Sequence, residues 1–549
     1  MILYYSDISH FSIRKPFKVA KYKVDKHKTS LDKKLLQNRD YENLKTFFSI
    51  KKHSNIYRFY ESYHYHRCEK RYAKLFKFDI AKCFDSIYTH SITWALLNKE
   101  LVKDNIPMSD ETFGGHFDKF MQNSNYGETN GIIIGPEFSR IFAELILQQI
   151  DKKVYEKLKE KGKYLKRNYE IFRYVDDFFV FYDDDILKND IVELYQVYLK
   201  EFKMGLNNSK SILYEKPLIT ELSIAKIKIS DLFNEHFKSK LTNAKDENAS
   251  EESEESTENI KEKYALYVSS DKIISRFKTI VKETNVDYKD IMNYSMASID
   301  RKVEKIIKDY NNLEDKKKHE DNFRKAILEI LDIAFFFYSV SPKVNITIKL
   351  CQFMSKVLDY LKSDNNFQYD NKHLIFKKIY DECTFVLNKN KTQPYKQVET
   401  LYLLITLREL GREYRLEPIL LKKYFDLENN NTLNYFSITV LLFYIKDIER
   451  YKDIQRIVLE KVKMKFENSN KENLRKNTEL ILLLFDILAC PFISPNYKKE
   501  LLSLHSISAN NQTEIINYSM DKQKYWFTKW TNFDYRKELD TKNSGEVYS

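Results

Sequence analysis

Two hydrophobic rhythms divide the chain. In its first part the apolar residues come in short runs: Leu75, Phe76, Phe78 and Ile80 lead to an acid, Asp79, and the run Ile171-Phe172-Arg173-Tyr174-Val175-Asp176-Asp177-Phe178-Phe179-Val180-Phe181 carries two acids at its centre. Short runs rich in β-branched and aromatic residues predict buried strands. The second run therefore predicts a β-hairpin with Asp176 and Asp177 at its turn. From about residue 260 the spacing changes to that of helices. Residues 323–338, 344–361, 400–410, 435–445 and 474–488 are the clearest segments, and helix following helix predicts an irregular α-solenoid or bundle. Glycine and proline number only 9 each, which favours long helices and disfavours an all-β chain.

Between the two rhythms the pattern breaks. Residues 218–241 read as an ordered connector, and residues 246–258 are acidic and serine-rich with nothing apolar to bury, which predicts a flexible tether. The expected domains are 1–240, a linker at 241–262, and a helical domain at 263–549.

The acids at the hairpin turn need a compensating charge. Asp79, at the end of a neighbouring strand, would be a third carboxylate at the same point. Mg²⁺ prefers hard oxygen ligands, and two such ions can clamp the attacking and leaving oxygens of a phosphoryl transfer.

At this level the residues resemble a family. Asp79 to Tyr88 is similar to motif A of reverse transcriptases, and Tyr174-Val175-Asp176-Asp177 is similar to their motif C tetrad. Residues 127–140, with Asn130, Gly131 and Gly135-Pro136 feeding a helical pattern, resemble motif B; Met204 to Lys210 resembles motif D. Ser86 to Ile92, Trp94-Ala95, Gly135-Pro136, Ser139-Arg140 and Ala143-Glu144 further resemble bacterial abortive-infection and related defence-associated reverse transcriptases.

The resemblance implies an α+β fold: a palm with reduced fingers, followed by an all-α, helical-repeat-like domain. It implies Asp79, Asp176 and Asp177 as catalytic and metal-binding residues, with Ile80 as a further metal-binding and nucleotide-binding residue and two Mg²⁺ ions, replaceable by Mn²⁺. Lys210 would protonate the departing pyrophosphate. Phe84, five residues after Asp79, would exclude a ribose 2′-hydroxyl, and Asn130 and Gly131 would support the nucleotide. Arg67 and Arg71, among the basic residues ahead of Asp79, are the candidates for triphosphate contact.

The implied activity is deoxynucleotide polymerisation in antiphage defence, with dNTPs as substrates and a DNA product. Two routes stay open, protein-primed and template-independent synthesis with product attached through a Tyr, or copying of a partner non-coding RNA. A homo-oligomer is expected. The alternative from another class is a catalytically silent palm kept as a nucleic-acid-binding scaffold.

Composition changes this picture little. Lys and Arg number 92 against 80 Asp and Glu, a balance compatible with nucleic acid. The five cysteines lack Cys-x-x-Cys spacing, as expected of unpaired thiols in a reducing cytoplasm. His64, His66 and Cys68 alternate as along an ordinary strand face, and no zinc site is expected there. No apolar run reaches the roughly 20 residues of a membrane helix, and the opening Met1-Ile2-Leu3-Tyr4-Tyr5 lacks a secretory pattern. A cytoplasmic protein with no membrane partner is the expectation.

Overall fold

The computed structural model describes residues 11–14, 16–19, 48–50, 56–244, 261–389, 397–429, 433–469, 476–521 and 526–543. The described residues form two compact units, one within 1–220 and one within 221–544.

The first unit is built on a four-stranded antiparallel sheet, β3 (Lys74–Ile80), β4 (Tyr169–Tyr174), β5 (Asp177–Tyr182) and β6 (Leu206–Glu215), in the order β4-β5-β3-β6. A separate pair, β1 (Pro16–Val19) and β2 (Phe48–Ile50), lies ahead of it in the chain. The apolar runs of β3 to β5 are nearly continuous because both faces of the sheet are covered. Phe78, Phe178, Val180 and Tyr182 enter one core with the helix Glu137–Glu160, whose Ile141, Phe142, Leu145 and Ile146 are buried there. Leu75, Phe179 and Phe181 enter a second core with Phe59, Tyr65, Cys68 and Tyr72.

Those last residues correct one expectation. His64, His66 and Cys68 lie on the helix Tyr63–Arg71, not on a strand. His64 and Cys68, four apart, lie on one face of this helix, but His66 between them points away, so the three do not converge. Ser62 caps this helix by accepting from the Tyr65 N–H, and Cys68 is buried beside Glu170.

The second unit is helical, as the spacing predicted. Helices Tyr288–Asn311, Val344–Ser363, Gln397–Leu410, Tyr435–Ile445 and Thr478–Ala489 pack each on the next of this series, the arrangement of a solenoid. All share one continuous core. The unit begins earlier than residue 240, because the helix Glu221–His236 buries Ala225, Ile229, Leu232 and Phe233 in that core. It also contains a hairpin that the hydrophobic spacing did not reveal, β7 (Lys238–Ala244) with β8 (Lys261–Tyr267). The acidic segment 246–258 and Leu474 lie outside the described residues.

Buried Asp486 fastens the C-terminal residues of this unit by accepting from the main-chain N–H of Phe527 and Thr528, at 3.1 and 3.0 Å. The five cysteines are free and buried. No helix among the described residues is long and apolar enough to cross a membrane.

Candidate active site

Antiparallel register brings the acids together. Asp79 stands directly opposite Asp177 on β3 and β5, and Tyr174 opposite Asp177 leaves Val175 and Asp176 as a two-residue turn. Opposed like charges on adjacent strands are destabilising, and the ionisation of the acids reflects it. Burial, then the charge of Asp176, pushes Asp177 up to about 6, while burial, then Asp79, raises Asp176. Asp79 is 7% exposed, and its Oδ1 is buried without a hydrogen-bond partner.

Lys210 answers part of this charge. Its Nζ donates to Asp79 Oδ2 at 3.1 Å, and that hydrogen bond raises the ammonium above its ordinary value. A long β-bulge places it there: Lys77 pairs with Ile212, but Asp79 pairs with Asn207, so residues 208–211 bulge out of the ladder.

The turn is held from beneath. Val175 has φ +58°, a strained conformation for a β-branched residue. Its carbonyl accepts from Arg173 Nη1 at 2.9 Å. Fully buried Arg173 also donates to Glu144 through Nη1 and Nη2 at 2.8 and 2.9 Å, and through Nε to Asp151 Oδ2 at 2.8 Å. Tyr195 donates to the same Asp151 at 3.1 Å. Sequence reading gave Arg173, Glu144 and Asp151 no role. The available signal was an arginine inside an apolar strand, together with two acids seven residues apart on one helix face.

Motif A and motif B are laced through their backbones. Thr89 N donates to Thr129 O at 2.9 Å, Gly131 N to Ile87 O at 2.8 Å, and Ile132 N to Phe84 O at 2.9 Å. Gly131 has φ +82°, and a Cβ there would stand 3.1 Å from the Asp85 carbonyl oxygen. Phe84 is half-buried against the core, and Asn130 is exposed beside Tyr88. Ile80 buries its side chain, so only its main chain is available to a cation.

Two predicted residues are not brought to the acids. Arg67 is ion-paired with Glu170, which stands opposite Phe181 on β5. Four residues of strand separate Phe181 from Asp177, roughly 13 Å at the usual rise. Arg71 closes the helix Tyr63–Arg71 and lies over the Tyr72 ring at 5.7 Å, next to the start of β3.

The donor set fits a hard divalent cation: three carboxylate side chains at one place, two with raised pKa and one with an unsatisfied oxygen. Among the described residues no three acid, imidazole or thiol groups close a metal site by themselves. An ion here would complete its shell with water and substrate phosphate oxygens, as Mg²⁺ commonly does.

Comparison with known proteins agrees with this geometry. Residues 14–229 match the family described as "Reverse transcriptase (RNA-dependent DNA polymerase)". No curated protein matches significantly. Among solved structures, telomerase from Candida albicans, in complex with a fragment of telomeric RNA, aligns at 13% identity and a TM-score of 0.25. The alignment covers 78% of this chain and 56% of that one, and at that score it carries no weight here. Motif order, cross-strand acids and the family match together identify residues 14–229 as a reverse transcriptase domain.

Proposed function

We propose that the chain is a DNA polymerase that adds deoxynucleotides by metal-dependent nucleotidyl transfer and acts in antiphage defence. The observation that carries the catalytic part is the opposition of Asp79 and Asp177 at a hairpin turn, with Lys210 paired to Asp79. Mg²⁺ ions bound there would stabilise the ionised attacking hydroxyl and the charge developing on the triphosphate. Asp79 and Asp176 are assigned as direct ligands, and Asp177 as a weaker ligand that holds its neighbours in place.

The chain's own groups do the rest. A hydroxyl oxygen attacks the α-phosphorus as the bond to pyrophosphate breaks, and the Lys210 ammonium donates its proton to the departing oxygen. Asp79 keeps that ammonium protonated and near the site until substrate arrives. The Phe84 ring is assigned to screening the sugar, with its backbone fixed by Ile132. The defence role rests on the resemblance of residues 86–95 and 135–144 to abortive-infection enzymes.

The test is incubation of the full chain with labelled dNTPs and Mg²⁺, followed by denaturing electrophoresis with and without nuclease. The reading requires Mg²⁺-dependent polymer that is lost in Asp79→Asn. Label migrating with denatured protein supports priming on a tyrosine; free product alone supports a conventional primer, and product requiring added RNA supports the templated route. Absence of incorporation by folded parent protein under every condition would leave the palm as a scaffold.

A further inference from the structure

Residues 11–14 lie against the edge of β4. The main-chain N–H of Ile13 donates to the Arg173 carbonyl at 2.9 Å, the Arg173 N–H donates to the Phe11 carbonyl at 2.8 Å, and Ser12 pairs with Arg173 in parallel. Phe11 is buried in the core shared with the helix Glu137–Glu160, and Ile13 in the core on the other face of the sheet. The segment is thereby anchored on both faces, beside the residue whose side chain supports the hairpin turn.

This anchoring brings Arg14 to the tetrad. Arg14 is 8% exposed; its Nη1 donates to the Tyr174 hydroxyl at 2.6 Å, and its Cζ stands 5.2 Å from the centroid of the same ring. A guanidinium only donates, so the phenol oxygen accepts here and its own proton points away from Arg14. Burial raises the phenol above its ordinary value, with Arg14 and then Arg140 opposing the shift, and Tyr174 is neutral at pH 7.

Tyr174 belongs to the row of acids. Side chains alternate between the faces of a strand, so Asp177 points to the face of Phe179 and Phe181, and Asp79 to that of Leu75; all three apolar residues enter the second core. Tyr174 packs against that same core and stands opposite Asp177, which stands opposite Asp79. Lys210 reaches the row at Asp79 from β6, and Arg14 reaches it at Tyr174 from the other edge. In an in-line displacement the attacking and leaving oxygens flank the phosphorus. With Lys210 assigned to the leaving oxygen, the attacking hydroxyl belongs towards the Tyr174 end.

We propose that Arg14 is a positioning residue for nucleotidyl transfer, holding the Tyr174 hydroxyl and, through it, the end of the acid row that the attacking group meets. The proposal rests on the polymerase reading and deepens it, since Arg14 precedes all four motifs in the chain. Arg14 acts by geometry alone and exchanges no proton in the reaction. Its loss should therefore slow the chemical step and leave binding of the nucleotide and of the metal unchanged.

The test is steady-state incorporation of labelled dNTPs by the full chain with Mg²⁺, in the parent, Arg14→Gln, Tyr174→Phe and the double variant, alongside Mn²⁺ binding read by electron paramagnetic resonance. Tyr174→Phe keeps the ring and removes the acceptor. The expected result is a fall in kcat of about 10- to 100-fold in each single variant, with KM for dNTP and Mn²⁺ affinity within twofold of the parent. The double variant should be no slower than the slower single one, because the two residues act as a unit. Parental kcat in folded Arg14→Gln, a change confined to KM, or losses that multiply in the double variant would overturn the proposal. Loss of Mn²⁺ binding in Arg14→Gln would also overturn it, showing that Arg14 only maintains the fold around the acids. If Arg14→Gln does not fold, parental kcat in Tyr174→Phe overturns the proposal by itself. A folded parent that incorporates nothing would contradict the polymerase reading, and the proposal with it; an active parent with unaffected variants would contradict the proposal alone.

Discussion

Replacing Asp177 by Asn should stabilise the protein in the absence of divalent metal. Asp177 is raised from its ordinary 3.8 to about 6, first by burial and next by the charge of Asp176. Each tenfold change in an ionisation equilibrium is worth about 1.4 kcal/mol, so the ionised carboxylate is disfavoured by at most roughly 3 kcal/mol. Lys77 already enters this balance with the opposite sign, and residual solvent access screens the rest, so about 1 to 3 kcal/mol is the expected gain. Between these two values the folded chain holds a proton that the unfolded chain has released. Stability therefore falls as pH rises through that window, and the full deficit is present at pH 7.

Asn at this position removes the charge and keeps the shape. Urea unfolding of the full chain in EDTA, read by hydrogen exchange in peptides spanning β4 and β5, should show the gain at pH 7.5. The gain should shrink as the pH falls towards 4. Added Mg²⁺ should stabilise the parent much more than the variant. A variant less stable than the parent in EDTA, or a difference independent of pH, would refute the assignment of Asp177 to a repulsive, metal-awaiting cluster.

Three further outcomes follow from the same geometry. Arg173→Met should cost about 3 to 5 kcal/mol, the usual loss when one partner of a buried ion cluster is removed, measured by urea unfolding. Lys210→Ala should still fold, because the Lys210 side chain is itself exposed, although buried Asp79 loses its cation; its turnover should fall about 100-fold, as for loss of a general acid, and the basic limb of the pH–rate profile should disappear. Phe84→Ala should raise incorporation of ATP relative to dATP in a competition assay, and an unchanged ratio in folded protein would leave Phe84 with a core role only.

What the sequence made legible was what depends on local pattern. Acids inside an apolar run marked the hairpin, but its turn is Val175 and Asp176 rather than the acidic pair, because Asp177 already pairs with Tyr174 at the start of β5. Helical spacing marked the C-terminal helices because each buries one stripe in a common core. The Tyr63–Arg71 segment misled because aromatic and histidine residues alternate there, while a serine cap and burial of Tyr65 and Cys68 select the helix. β7 and β8 stayed hidden because they are separated in sequence by an acidic segment and have little apolar content. Arg173 was visible as a residue but not as a support, since its partners lie 22 and 29 residues away.

The measurement that bears most directly on the palm is a Mn²⁺ titration of the full chain followed by electron paramagnetic resonance, with and without dNTP. The account predicts weak binding to the chain alone, tighter binding of two ions per chain with dNTP present, and loss of that tight binding in Asp79→Asn and in the Asp176→Asn, Asp177→Asn double variant. Equal Mn²⁺ binding by the parent and both folded variants would contradict a metal site at these three carboxylates.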